Sequence, residues 1–346
     1  MLRAHWLWAS CVAALVLVSG TARAAVLRVP AQYPTIQAAV DAASDGDRIR
    51  VSAEEHCGAT LTKRVKLEGR GKPRIIGCAS GPFVTPGLRA GFFLPGSKGV
   101  NPASGSRITG FVFDGDGVSN ANLAPLSFGV FARFASDIRV TRNRFIGTVQ
   151  AITNTGGDRW TIRRNRIEQL TVLDCTVHCT GGDGIVIALA RGAIAAPGGN
   201  AEPLNRPENN LVLHNRISGV APDGFGVFSL AGVLLLSADH TTILGNDLRL
   251  RDNPNADAVG QGILISNTCC GLGTSFLPGS RNTTAAFNDG RRSEVAVVVE
   301  GTGGANTEGL FLWRNRGTVI VEGSEQPAAL RALRVVAAPP RAQPTL

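Results

Sequence analysis

Two short segments of the sequence combine aspartate with histidine, the residue types on which general acid–base chemistry relies. The segment LDCTVHCTGGDGI contains Asp174, His178 and Asp183, and the segment SADH contains Asp239 and His240. A carboxylate can act as a base or hold a divalent cation such as calcium, and an imidazole titrates near neutral pH. These five residues are the candidate catalytic group, with no other cofactor indicated. Aspartates beside glycines are also ordinary turn residues, so a purely structural role stays open.

Three further residues are candidates for contacting a substrate. Asp223 stands in the segment APDGF, Arg191 follows an apolar segment that ends at residue 190, and Arg216 follows an asparagine. An aspartate between proline and glycine is also typical of a simple turn. Asp223 therefore has two interpretations, binding and structural.

The charge of the chain favours a polyanionic partner. It has 35 Lys+Arg against 26 Asp+Glu, a net charge of +9 at pH 7, which suits nucleic acid, anionic lipid or an acidic polysaccharide. Codon usage that favours arginine would produce the same balance. RNR triplets contribute six of the arginines: Arg142, Arg144, Arg164, Arg166, Arg314 and Arg316. Aromatic residues do not interleave with them, which disfavours nucleic acid.

The elements that must position these residues follow a repeat. The pattern apolar-x-x-Asn-x-apolar recurs with asparagine spacings of 22, 50, 31, 42 and 27 residues, as in a solenoid whose loops vary in length. Asparagine tolerates the left-handed conformation of a tight corner, and its amide can satisfy backbone groups of the next coil. The asparagines therefore predict structure rather than catalysis; they are Asn143, Asn165, Asn215, Asn246, Asn288 and Asn315.

Short apolar segments between the asparagines predict β-strands, most of them opening with Gly or Ala. They are AITN (151–154), GIVIALA (184–190), GVLLLS (232–237), GILIS (262–266) and VAVVVE (295–300). If Ile185 and Ile187 point inward, alternation turns their neighbours outward. The expected outer floor is then Val186, Ala188, Leu234, Leu236, Leu264 and Ser266, so proton-transfer groups would have to come from loops.

The N-terminal segment of the chain predicts export. Residues 1–24 combine Arg3, the apolar run CVAALVLVSG and the small-residue site ARA, which is typical of a Sec signal peptide cleaved before Ala25. We expect a secreted or periplasmic protein with one domain over 25–336 and a disordered tail over 337–346. No later stretch reaches the roughly 18 apolar residues of a membrane span.

Six cysteines remain after the signal peptide, an even count that favours disulfides in an oxidising compartment. Cys57 and Cys78 lie 21 residues apart, about one coil, which predicts a disulfide between them. Cys269 and Cys270 can bridge to Cys175 and Cys179, or each pair can close locally.

The N-terminal segment resembles a known family. YPTIQAAVDAASDGDRIRV, with Thr35 as helix N-cap and Gly46 as helix stop, followed by VKLEGRG, is similar to the N-terminal cap and first coil of the pectin lyase-like superfamily. The resemblance implies an all-β fold, a right-handed parallel β-helix with an N-terminal capping helix. It also implies that ligands bind on the outer face of the sheet with the longest loops. None of the family's active-site patterns matches residue by residue.

The leading hypothesis is an exported β-helix that acts on a polysaccharide, with an acidic one as an option, by lyase, hydrolase or epimerase chemistry. The alternative is a non-catalytic glycan- or surface-binding protein, which the apolar floor favours. A periplasmic metal-handling factor is the weakest alternative. We expect a monomer with no nucleic-acid partner.

Overall fold

The computed structural model describes residues 24–85, 87–115, 126–170, 182–190, 205–220, 230–251, 260–266, 279–300 and 309–321. Within them the chain forms one helix, α1 (Ile36–Ala42), and strands β1 to β27, numbered along the chain. The predicted signal peptide, except Ala24, and the predicted tail lie outside these residues.

Sheet A contains ten parallel strands in spatial order. They are β1 (Val26–Val29), β2 (Arg48–Val51), β5 (Lys66–Gly69), β9 (Arg107–Thr109), β12 (Arg139–Thr141), β15 (Thr161–Arg163), β18 (Leu211–Leu213), β21 (Thr242–Leu244), β24 (Thr284–Ala286) and β26 (Phe311–Trp313).

Sheet B follows sheet A in each coil and contains seven parallel strands. They are β3 (Glu55–Cys57), β6 (Arg74–Ile76), β10 (Val112–Asp114), β13 (Arg144–Ile146), β16 (Arg166–Leu170), β19 (Arg216–Val220) and β22 (Asp247–Arg251).

Sheet C completes the coil and holds the longest strands. They are β4 (Ala59–Thr60), β8 (Leu88–Leu94), β11 (Leu126–Arg133), β14 (Gln150–Thr155), β17 (Asp183–Ala188), β20 (Leu230–Leu236), β23 (Gly260–Ser266), β25 (Val295–Val299) and β27 (Val319–Val321), while β7 (Phe83–Thr85) pairs antiparallel with β8. The chain is thus a right-handed parallel β-helix.

The core runs along the axis of the helix because alternate residues of each strand point inward. Ile108, Val140 and Ile162 of sheet A are fully buried and stack in register on neighbouring strands. The same alternation sends the residues on either side of them to the outer face.

Helix α1 lies at the N-terminal end of the solenoid, as the sequence predicts. The Thr35 hydroxyl accepts a hydrogen bond from the Ala38 backbone N–H at 3.1 Å, and Ile36, Ala39 and Val40 are buried. The helix ends at Ala42 rather than near Gly46. Ser44 and Asp47 form a turn of their own, in which the Ser44 N–H donates to Asp47 Oδ2 at 2.8 Å.

The six asparagines form a buried ladder at the corner between sheets A and B, which we call the asparagine ladder. In each rung, the Oδ1 atom of one asparagine accepts hydrogen bonds from the backbone and side-chain amides of the asparagine before it. The left-handed residue is the one before the asparagine, for example Arg142 (φ 56°) and Arg164 (φ 54°). The expectation that asparagine itself adopts this conformation is therefore wrong: the residue before it turns the chain, and the asparagine side chain is buried and hydrogen-bonded in the ladder.

Within the described residues no helix is long and apolar enough to cross a membrane.

Candidate functional site

Asp183 lies on a strand rather than in a loop. It is the first residue of β17 and pairs with Gln150 on one side and Ala231 on the other, with Gln261 one strand further. Ala231 belongs to a hydrophobic cluster with Val186 on the outer face of sheet C. The Asp183 side chain therefore belongs to the outer face as well.

Two consecutive inward-facing residues explain why alternation misplaces Asp183. Gly184 and Ile185 both face the core: a Cβ at Gly184 would lie 2.7 Å from Ile217 Cγ2 and 2.6 Å from the Gly232 carbonyl oxygen. Two consecutive inward positions shift the alternation by one. Counting back from Ile185 therefore misses Asp183, and Gly184, the second residue of β17, is the sequence feature that marks the shift.

Polar side chains accompany Asp183 on this face. The Thr153 hydroxyl donates to Gln150 Oε1 at 2.7 Å, and Gln150 Nε2 donates to Asp183 Oδ2 at 3.4 Å. Asp183 is only 6% exposed. Gln261 Oε1 is buried and has no hydrogen-bond partner within the described part of the chain. The expectation of a floor without a carboxylate is thus wrong.

The remaining floor is apolar, as predicted, but it is not open. The predicted outward residues are at most 8% exposed, and all but Ser266 pack in one cluster; they are Val186, Ala188, Leu234, Leu236, Leu264 and Ser266. Ser266 Oγ donates to Glu300 Oε2 at 2.7 Å. This face is packed rather than presented to solvent.

Asp239 and His240 lie at the other end of the sheet C strands. Asp239 lies three residues past Leu236, and Leu236 pairs with Ala188 at the end of β17. From Asp183 to Ala188, β17 spans about 17 Å at ~3.3 Å per residue. Asp183 and Asp239 are therefore too far apart to act on the same bond. The five predicted catalytic residues do not form a single catalytic group.

Asp239 is already engaged in an ion pair. Arg206 Nη2 donates to Asp239 Oδ1 at 2.7 Å, and the backbone N–H of Arg281 donates to the same oxygen at 3.1 Å. The side chains of Arg206 and Asp239 are 18% and 13% exposed. His240 is exposed, and its Nε2 lies 3.2 Å from Asn282 Nδ2. These contacts fasten neighbouring coils at the corner that leads from sheet C to sheet A.

Several predicted site residues lie outside the described residues, namely Asp174, His178, Arg191, Asp223, Cys175, Cys179, Cys269 and Cys270. Among the residues that are described, no group of three or more His, Cys, Asp or Glu side chains is arranged to hold a metal ion. Cys57 and Cys78 form a disulfide, with Cα atoms 5.5 Å apart, which joins two neighbouring coils.

The arginines that follow the asparagine ladder are neutralised on sheet B. Arg144 Nε donates to Glu168 at 2.7 Å and Arg166 donates to the same carboxylate. Burial would raise the pKa of Glu168, but the two arginine hydrogen bonds outweigh it and lower that pKa below its usual value. Arg216, a predicted substrate contact, lies 3.8 Å from Asp247.

The outer face of sheet A is different, because several of its arginines have no carboxylate within ion-pair distance in the described part of the chain. A cavity of about 380 Å³ lies over β2, β5, β9, β12 and β15. Its lining includes seven cationic side chains against one carboxylate, Glu68, a formal charge of +6. We call it the cationic groove; the cations are Arg48, Lys66, Arg107, Arg139, Arg142, Arg163 and Arg164.

The single carboxylate is shared at one end of the groove. Glu68 lies 2.9 Å from Arg48 and 3.0 Å from Arg70, both measured between nitrogen and oxygen. In the described part of the chain, Arg107 and Arg139 have no carboxylate within ion-pair distance, and Arg163 Nε is buried without a hydrogen-bond partner. Clustered like charges without counterions repel, so this arrangement favours an anionic ligand.

The register explains why the sequence does not reveal this groove. Arg48, Lys66, Arg107 and Arg139 occupy one column on four neighbouring strands. Along the chain they are separated by 18, 41 and 32 positions, because loops of unequal length intervene. The RNR triplets indicate only the two corner arginines, Arg142 and Arg164.

No family model matches the chain, and no curated protein matches it. Among solved structures, it is similar to PfbA, a surface adhesin of Streptococcus pneumoniae, with a TM-score of 0.46, 12% identity, and coverage of 82% of this chain and 74% of that one. It is also similar to an alginate lyase from Paenibacillus sp. str. FPU-7, with a TM-score of 0.41, 11% identity, and coverage of 86% and 98%.

A third similar structure is the catalytic domain of a GH87 alpha-1,3-glucanase, with a TM-score of 0.37, 11% identity, and coverage of 79% of this chain and 53% of that one. The parallel β-helix of this chain rests on its own strand pairing and not on these likenesses.

Proposed function

We propose that this chain is an exported β-helix protein that binds an anionic polysaccharide along the outer face of sheet A. The observation that carries the proposal is the cationic groove, whose lining has seven cations and one carboxylate, with no carboxylate within ion-pair distance of Arg107 or Arg139 among the described residues. The planar guanidinium group matches carboxylate and sulfate oxygens and forms strong charge-assisted hydrogen bonds with them.

A polymer fits the groove better than a small anion does. Arg48, Lys66, Arg107 and Arg139 lie on consecutive strands, about 4.8 Å apart, so the row extends over about 14 Å. A small anion reaches only two or three of these charges. A chain with a repeated acidic group, running parallel to the solenoid axis, can contact all of them.

Polysaccharide is favoured over nucleic acid because no aromatic side chain interleaves with the cations in the lining of the groove; the exposed rings of this face lie about 19 Å further along it, at β26. Proteins that bind single strands combine a positive groove with aromatic rings on which bases stack. A uronate or sulfated polysaccharide needs only the cations and hydrogen-bond donors. The predicted export agrees with a ligand outside the cytoplasm.

The proposal is tested by comparing polygalacturonate with a neutral β-glucan as ligands. The test variant, R107A/R139A, removes both exposed arginines of the column. The control variant, R144A/R166A, removes the same number of positive charges from sheet B. A lost charged hydrogen bond costs about 1.5 kcal/mol or more, so we expect at least a tenfold weaker polygalacturonate affinity for the first variant only. Equal losses of affinity in both variants would mean that net charge, and not the groove, determines binding. Stronger binding of single-stranded DNA than of polygalacturonate would make nucleic acid the ligand class.

A second candidate function, polysaccharide cleavage or epimerisation, is favoured by one observation. Asp183 is a buried carboxylate next to Gln150 on the outer face of sheet C. With Asp174 and His178, the neighbours that the sequence predicts for it, Asp183 would supply an acid and a base, or bind calcium. Turnover of polygalacturonate, followed by unsaturated product and reducing ends, should then fall by about 10²–10⁴-fold in Asp183→Asn. Full turnover in this variant would exclude Asp183 as a catalytic residue, and no turnover by the wild type would leave binding as the function.

A further inference from the structure

The outer face of sheet A changes from cationic to apolar along the solenoid. From β18 onward its outward residues include Leu211, Leu213, Leu244, Phe311 and Trp313 in place of arginine and lysine. Six large hydrophobic side chains are exposed in the described residues, and four of them lie at this end of sheet A: Leu211 (37%), Phe287 (52%), Phe311 (47%) and Trp313 (41%). A concentration of exposed apolar surface on one face marks a binding site.

Three aromatic rings and one arginine form a defined arrangement there. Phe311 and Trp313 flank the inward residue Leu312, and their rings are nearly parallel, 15° apart, with centroids separated by 6.1 Å. The Arg314 guanidinium lies 5.5 Å from the Trp313 ring centroid and 6.0 Å from that of Phe287. We call Phe287, Phe311, Trp313 and Arg314 the aromatic platform.

The fold itself does not require these aromatics. Phe287 stands at the corner before the ladder residue Asn288 with a left-handed φ of 53°, a conformation that is costly for a bulky side chain. In other coils this corner is occupied by Arg142, Arg164, His214 or Gly245. Because the ring is half exposed and strained, it stabilises the core little, and strain of this kind concentrates at functional sites.

We infer that the aromatic platform is a stacking subsite for the sugar rings of the polysaccharide that the cationic groove binds; this inference rests on the proposed function. The C–H faces of a pyranose ring are apolar, so they can cover exposed aromatic rings while the sugar hydroxyls stay in water. Arg314 at the edge of the rings supplies a cation for an acidic substituent of the stacked sugar.

Continuity with the groove identifies the occupant. Groove and platform share the outer face of sheet A, and β26 lies four strands beyond β15, about 19 Å along the axis. A polymer parallel to the axis reaches both, whereas a short oligomer reaches only one. Contacts at the second site then act at high effective concentration, so long chains bind more tightly than short ones.

Tryptophan fluorescence provides a direct readout. From Ala25 onward the sequence contains only two tryptophans, Trp160 and Trp313. Trp160 is fully buried and donates its indole N–H to the Ala135 carbonyl, whereas Trp313 is 41% exposed on the platform. Acrylamide quenching of the chain from Ala25 onward, which contains all described strands, therefore reports on Trp313.

The experiment measures quenching and affinity with polygalacturonate and with a short oligogalacturonate. We expect the polymer to protect Trp313 from acrylamide. We also expect Trp313→Ala to weaken binding of the polymer about three- to tenfold and to leave the affinity for the short oligomer unchanged. Trp313→Phe keeps a ring and should restore affinity while removing the exposed fluorescence.

Salt separates this inference from the proposed function. In 0.5 M NaCl the loss caused by Trp313→Ala should persist, because stacking is not screened, whereas the loss caused by R107A/R139A should shrink. An unprotected Trp313 with normal groove binding would overturn the platform alone. Absence of polymer binding would overturn the proposed function. Protection that depends on protein concentration without ligand would make the platform a contact between copies of the chain.

Discussion

Asn165 accepts two hydrogen bonds from Asn143, although 22 residues separate them in the chain. Its Oδ1 atom lies 3.0 Å from the Asn143 backbone nitrogen and 3.3 Å from the Asn143 side-chain nitrogen. Its own Nδ2 donates to the Val140 carbonyl at 2.9 Å and to Asn215 Oδ1 at 3.0 Å. One buried side chain thus connects three segments, and the same relationship extends the corner from coil to coil.

Replacing Asn165 by leucine should lower the free energy of unfolding by roughly 1–3 kcal/mol, because buried donors and acceptors lose their partners. Denaturant unfolding measures the change. Asn209→Gly is the control: Asn209 is exposed, lies outside the ladder and has a φ of 57°, which glycine tolerates. An unchanged midpoint for Asn165→Leu would show that the ladder contributes no stability.

The disulfide between Cys57 and Cys78 should stabilise the first coils. The two cysteines are 21 residues apart and close a loop around the first rungs of sheet B. Replacing both with alanine should lower the free energy of unfolding by about 2–4 kcal/mol. Non-reducing peptide mapping should find the cross-link in the wild type. Two free thiols at these positions would contradict the structure.

Carboxylates paired with arginine on sheet B should make stability depend on pH in the acid range. The hydrogen bond from the Arg291 side chain lowers the pKa of Asp289 to about 2, against an ordinary value of 3.8. Between these values the unfolded state binds the proton and the folded state does not. Stability from Asp289 is therefore complete above pH ~4 and is lost as the pH falls toward 2.

Thermal unfolding of the wild type and of Asp289→Asn checks this expectation. The difference between their midpoints should be largest above pH ~4 and should vanish toward pH 2. Arg291→Gln should reduce the acid dependence in the same way, because it removes the partner that lowers the pKa. A midpoint difference that is constant from pH 2 to 6 would rule out this ion pair as the cause.

Local sequence signals predict much of the fold. The position of helix α1 follows from Thr35 and the apolar residues behind it, and the corners follow from the repeated asparagine. Each signal lies within a few residues and refers to one coil. The sequence assigns the left-handed conformation to the asparagine, one position too late, because the repeat shows which residue recurs and not which backbone torsion each residue adopts.

The candidate sites depend on relations that a linear sequence does not contain. Asp183 reaches the outer face only because Gly184 and Ile185 both face the core, which strict alternation does not reveal. Arg107 and Arg139 become neighbours only through the pairing of β9 with β12 across 32 positions. Variable loops hide this register, so the column of cations could not be recognised as a groove.

The central claim is that the ligand lies on sheet A, and arginine footprinting tests it most directly. The protein is modified with an arginine-selective dicarbonyl reagent, with and without polygalacturonate, and modified sites are quantified by mass spectrometry. Arg107, Arg139 and Arg142 are exposed in the groove, while Arg144 and Arg166 are exposed on sheet B and serve as internal references. We expect protection of the first three and unchanged modification of the other two. Protection confined to sheet B, or equal protection of all five arginines, would contradict binding in the cationic groove.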